Sequence, residues 1–204
     1  SYGGQMEVLH FFLLFLLLIL HLSHFTNGKT PMITSSSSSS STNNLVYKSC
    51  TKASYPKICI RTLSSYSTML KTPKDLAKAS LNVSISRANK ASKFLKNLKV
   101  RSKREKGALV DCIEQIGDSI HELRKALFEL KHLHKGNGFK FQMSNLETWV
   151  SASLTNDDTC LDGFKEIDGK VRYDVKRRIS NLAKVTSNAL YLINLLDNRG
   201  GFRI

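Results

Sequence analysis

An all-α fold, an antiparallel up-down-up-down bundle of four helices, is predicted by two features of this 204-residue chain. Apolar residues recur at three- and four-residue steps in four long, separate segments, the spacing that lines one face of a helix. The breaks between them are short, a basic connector and two glycine-bearing turns, and short loops make neighbouring helices antiparallel. The length suits one domain with a single helical core plus appendages.

Residues 1–28 read as a secretory signal peptide. Val8 to Leu22 is apolar except for two histidines, shorter than the roughly 20 residues of a membrane span. Thr26, Asn27 and Gly28 then offer small residues for cleavage. No Lys or Arg precedes the run, so Met6 reads as the true start, its amino group supplying the positive charge. Residues 29–44 read as a flexible linker, because seven consecutive serines have nothing to bury. In residues 45–71, Tyr55 and Pro56 break any helix between Cys50 and Cys59, nine positions apart, and bring the two within reach of a local bridge.

The bundle is assigned to residues 72–198, followed by a tail at 199–204. Thr72-Pro73 caps the first long helix, whose stripe is Ala77, Leu81, Ile85, Ala88, Ala91, Leu95 and Leu98. On its opposite face Asn82-Val83-Ser84 is an N-glycosylation acceptor for a secreted protein. Lys99 to Lys106 reads as a basic connector. The second helix carries Leu109, Cys112, Ile116, Ile120, Leu123, Leu127 and Leu130, and ends near Gly136-Asn137-Gly138. Ser144 and Glu147 read as a capping box that starts the third helix at Asn145. Its inward stripe is Leu146, Trp149, Val150, Ser153, Asp157, Cys160 and Phe164. After the Asp168-Gly169 turn, Val171, Val175, Ile179, Leu182, Val185, Ala189, Leu192 and Leu196 mark the fourth helix.

Lys and Arg total 31 against 16 Asp and Glu, a net charge of +15, rising to +16 once Glu7 leaves with the signal peptide. Such a surface attracts polyanions at long range. The four cysteines include no C-x-x-C pair, and their wide spacing in a secreted context favours two disulfides over a zinc site, with three pairings formally possible.

Nothing in the chain reads as an enzyme: it has no nucleophile elbow, phosphate loop or metal-ligand cluster, and no cofactor is implied. Asp158 and Asp162, one turn apart, are the best candidates for paired carboxylates. With Asp157 they read instead as exposed acids near a helix end, and Trp149 and Phe164 as core rather than a ligand platform. The basic runs at Lys99 to Lys106 and Lys176 to Arg178 read as solvated faces rather than a polyanion grip.

The stretch WVSASLTNDDTCLDGF, Trp149 to Phe164, resembles the signature helix of the plant invertase and pectin methylesterase inhibitor family. CTKASYPKIC at Cys50 to Cys59 is similar to the family's N-terminal helical hairpin, ALVDCIE at Ala108 to Glu114 to the start of its second bundle helix, and SNAL at Ser187 to Leu190 to its closing motif. The likeness runs from Val46 to Leu196 and keeps all four cysteines. Ala53 and Ile116 depart from the family's usual Thr and Tyr.

The resemblance implies a short N-terminal helical hairpin ahead of the bundle and disulfides Cys50–Cys59 and Cys112–Cys160. The second pair meets only if the second and third helices run antiparallel. It further implies a secreted protein of the apoplast and cell wall, with no stable membrane association after signal cleavage and no nucleic-acid partner. Its expected role is a stoichiometric inhibitor of pectin methylesterase that covers the substrate cleft. The NDDTC signature and closing helix favour that target over acid invertase, the alternative, and no Pro-Lys-Phe of the invertase inhibitors is present. Thr159 matches a motif threonine associated with the esterase contact, followed by Asp158, Asp162 and Asn156 as partner-binding candidates. A reading of another class is a basic wall protein that binds acidic pectin without inhibiting anything. A third is a relative of the pro-region that precedes some pectin methylesterases.

Overall fold

The computed structural model describes residues 40–198. The expected signal peptide, residues 29–39 of the expected linker and the tail at 199–204 lie outside them. The described elements are α1 (Ser40–Cys50), α2 (Pro56–Leu63), a 3-10 turn (Ser64–Met69), and the long helices α3 (Pro73–Lys96), α4 (Lys103–Lys131), α5 (Phe139–Gly163) and α6 (Lys170–Asn198). No described helix is long and apolar enough to cross a membrane.

The long helices close a ring in which α3 packs on α4, α4 on α5, α5 on α6 and α6 back on α3. The expected stripes fill its centre: Leu81, Leu95, Ile116, Leu123, Leu146, Val150, Ile179 and Leu182 are all buried in one cluster. Ile85, Leu98 and Leu127 are only half-buried at its margin. Both disulfides form as expected, Cys50–Cys59 and Cys112–Cys160. Because Cys112 sits near the start of α4 and Cys160 near the end of α5, the bridge ties two antiparallel helices.

Three boundaries differ from those expected. Helix α1 begins at Ser40, inside the stretch read as linker, since Val46 and Cys50 sit one turn apart and bury a face that holds the helix down. Helix α4 begins at Lys103, so half of the expected basic connector is helical. The cause is a capping box: Glu105 N–H donates to Ser102 Oγ at 3.0 Å while Glu105 Oε2 accepts from Ser102 N–H at 2.9 Å. Helix α5 starts at Phe139, six residues before Asn145, and Ser144 is an exposed interior residue rather than a cap. Gly136, at φ 120°, makes the turn, and buried Met143 extends the Leu146 and Val150 stripe backwards by one turn.

The hairpin has its own small core of Val46, Cys50, Ala53, Cys59 and Leu63, packed on Leu76 of α3 and Leu192 of α6. Buried Asn188 of α6 clamps it. Its Oδ1 accepts from Tyr55 N–H at 2.9 Å, and its Nδ2 donates to Tyr55 O at 3.0 Å. Both positions that depart from the family pattern are accommodated inside, Ala53 in the hairpin core and Ile116 in the bundle core.

Candidate partner-binding face on α4 and α5

The faces of α5 are set by helical spacing. Met143, Leu146, Val150, Ser153, Asp157 and Cys160 are buried, and Thr155, Asp158, Thr159 and Asp162 are exposed on the far side. Thr159 is therefore a surface residue rather than a packing hydroxyl. Its Oγ1 donates to Thr155 O at 2.8 Å, and Thr155 Oγ1 donates to Ser151 O at 3.2 Å. These bonds tie both side chains to their own helix backbone while the residues stay exposed. Beside Thr159, Cys160 is bonded to Cys112, so the backbone here is pinned to α4.

The four sequence candidates separate. Asp158, Thr159 and Asp162 share the exposed side, whereas Asn156 is half-buried. Asp162 pairs with Lys165 at 2.9 Å, with both side chains about two-thirds exposed, and such a pair adds little stability. Of the expected glycosylation motif, Asn82 is exposed on α3, but Ser84 is fully buried on its inner side, its Oγ donating to Ser80 O at 3.1 Å, so the motif does not lie on one outer face.

Asp157 corrects the expectation of three exposed acids. It is fully buried between α4 and α5, where Ser119 Oγ donates to its Oδ1 at 2.9 Å and Ser119 Oγ lies 2.7 Å from Ser153 Oγ. Its Oδ2 has no partner in the structure. Burial pushes the carboxyl up to about 8, with a smaller push from neighbouring Asp158, against the lowering effect of the Ser119 bond. A neutral acid thus sits at the seam.

Toward the other end of this edge lies a group that the sequence reading missed. Phe128 of α4 and Phe141 of α5 are 63% and 71% exposed. Lys125 Nζ sits 3.4 Å from the centroid of half-buried Trp149. His121, Arg124, Lys125, Phe128, Glu129 and Trp149 line a shallow hollow between the two helices. Phe141 stands eighteen residues before Thr159, about five whole turns, so both lie on one outward line of α5. The signal was present: both phenylalanines fall off the apolar stripes, and an aromatic off the stripe faces solvent. Trp149 is correspondingly not a plain core residue, while Phe164 is fully buried, as expected.

Among the described residues, no cluster of His, Cys, Asp and Glu could hold a metal ion. What the edge offers is a stiff surface about five helical turns long, with exposed aromatics at one end and hydroxyls with carboxylates at the other. Such a surface suits noncovalent docking to a protein.

Comparison with known proteins agrees in kind. The sequence model of the plant invertase/pectin methylesterase inhibitor family matches residues 44–192. The chain is similar to pectinesterase inhibitor 3 of Arabidopsis thaliana, 48% identical over 167 residues, which cover 78% of this chain and 82% of that protein. It is also similar to the 21 kDa protein of Daucus carota, 42% identical over 160 residues, covering 74% and 83%. The crystal structure of a mutant form of an Arabidopsis pectin methylesterase inhibitor shares the fold, with a TM-score of 0.60 at 23% identity, over 72% of this chain and 93% of that one.

Proposed function

The chain belongs to the plant invertase/pectin methylesterase inhibitor family, and on that premise we propose that it is a secreted inhibitor of pectin methylesterase, acting in the cell wall. It is not an enzyme. The observation that carries the reading is the exposed edge of α4 and α5, preorganised by the Cys112–Cys160 bridge and bearing Thr159 beside it. A rigid face loses little entropy on docking, and exposed aromatic anchors are the residues that usually carry binding energy.

In this reading the edge lies across the substrate cleft of the esterase. Thr159, Asp158 and Asp162 contact one part of it, and Phe128, Phe141 and the Lys125–Trp149 pair contact another. Asn156, half-buried, borders the face. No bond is made or broken, and inhibition is exclusion of the polymer from the cleft. Gel filtration of the oxidised protein with a plant pectin methylesterase tests this: a one-to-one complex supports it, and independent elution of both proteins counts against it.

A further inference from the structure

The bundle divides its charge by edge. Helices α3 and α6 carry twelve Lys and Arg against three Asp and Glu, whereas α4 and α5, on the opposite side of the ring, carry seven against ten. The positive side converges on a groove of about 320 Å³ between α3 and α6, lined by Arg87, Lys90, Ala91, Arg177, Arg178 and Asn181. All four cationic residues of that lining are exposed.

Two of the cations are already oriented. Arg87 Nη1 donates to Asn181 Oδ1 at 3.0 Å, and the Arg178 guanidinium lies 4.2 Å over the Phe94 ring. Arg177 lies 5.9 Å over the exposed Tyr173 ring and 3.8 Å from Asp174, a carboxylate that Lys170 also binds. Toward the end of the bundle, Lys99, Arg101 and Lys170 line a second hollow together with Glu105 and Asp174. The result is a basic strip along one edge, with arginines held ready for bidentate contact with planar carboxylates.

We propose that this strip binds a linear polyuronate, a polysaccharide bearing a carboxylate on each sugar, while the α4–α5 edge is left for the enzyme. The choice of polyanion rests on the proposed function. Ester hydrolysis by pectin methylesterase consumes water and releases methanol, leaving a uronate carboxylate where each methyl ester stood. The inhibitor would thus work beside a growing anionic polymer. Exposed Tyr173 adds a ring on which a sugar face can stack, next to the Arg177 charge. Two disulfides place the chain in an oxidising compartment, where nucleic acid is scarce. Bound this way, the inhibitor would be retained on wall that the esterase has already processed.

The test is calorimetric titration of the oxidised protein with polygalacturonate, fully methyl-esterified pectin and polyphosphate at mildly acidic pH and two salt concentrations. The protein should bind polygalacturonate but not the esterified polymer, and less tightly at high salt. The combined variant Arg87→Gln, Lys90→Gln, Arg177→Gln, Arg178→Gln should bind at least about tenfold more weakly and respond less to salt, since screened charge carries the binding. A control that removes the same charge from the hairpin side, Lys48→Gln, Lys52→Gln, Lys57→Gln, Lys71→Gln, should weaken it less than about threefold. If the groove variant melts earlier, the pair Arg87→Gln, Lys90→Gln should show a smaller loss in the same direction.

Equal weakening by groove and control variants, no saturable binding, or tighter binding of polyphosphate would each overturn the proposal. The groove variant should still inhibit pectin methylesterase like the parent, and a folded variant that failed to do so would overturn the separation of the two edges. A parent protein that binds polygalacturonate through the groove yet inhibits no esterase would instead refute the proposed function alone.

Discussion

Across the α4–α5 seam, Ser119 Oγ donates to Asp157 Oδ1 at 2.9 Å, and the second oxygen of that fully buried carboxyl has no partner. Because burial raises its pKa to about 8, the folded chain holds this proton where the unfolded chain, with an ordinary aspartate, releases it. The stability that Asp157 contributes is therefore fully present below about pH 4 and is lost as pH rises toward 8, by at most about 1.4 kcal/mol per pH unit.

Asp157→Asn removes the ionisable group at nearly constant shape. The variant should show a flatter dependence of denaturation midpoint on pH between 4 and 8 and should be more stable than the parent at the alkaline end. An unchanged slope would mean that Asp157 is ionised in the folded chain.

Asn188 holds the hairpin through both backbone polar groups of Tyr55. Replacing it with Ala strands a part-buried N–H and C=O and should cost about 1–3 kcal/mol in chemical denaturation. Hydrogen exchange at α1 and α2 should rise more than exchange in the bundle, because the clamp acts between them.

Much of the fold was legible because buried stripes, caps and turn glycines are local signals. The YP and SNAL motifs lie far apart in sequence, yet the Asn188–Tyr55 clamp joins them. What failed is also physical. Ser144 and Glu147 had the spacing of a cap, but tertiary burial of Met143 carried the helix past them. The true caps were Thr72 with Asp75, whose first half was readable, and Ser102 with Glu105, hidden in a basic run. Asp157 was placed on the inward stripe by its spacing, and its charge argued it back to the surface. Only Ser119, thirty-eight residues away, shows how a carboxyl is tolerated there.

The two disulfides close loops of different length, with separations of 9 and 48 residues. By the chain-entropy model, the pair Cys50→Ser, Cys59→Ser should cost about 3 kcal/mol and Cys112→Ser, Cys160→Ser about 4. Comparing the denaturant midpoints of the two double variants checks the order, and a larger loss from the hairpin pair would contradict it.

Phe128 and Phe141 are too exposed to hold the core. Truncating either to Ala should leave the melting temperature within a few degrees while weakening esterase inhibition about fivefold or more, as expected for aromatic anchors at an interface. Unchanged inhibition by both variants would confine docking to the Thr159 end.

The most direct measurement of the central claim is activity titration of the purified, oxidised chain against a plant pectin methylesterase and an acid invertase at mildly acidic pH, with Thr159→Lys alongside. The expected result is stoichiometric loss of esterase activity alone, with the folded Thr159→Lys variant at least about tenfold weaker, because it places bulk and charge in a close-packed contact. Loss of invertase activity alone, or full esterase activity at excess inhibitor, would contradict it.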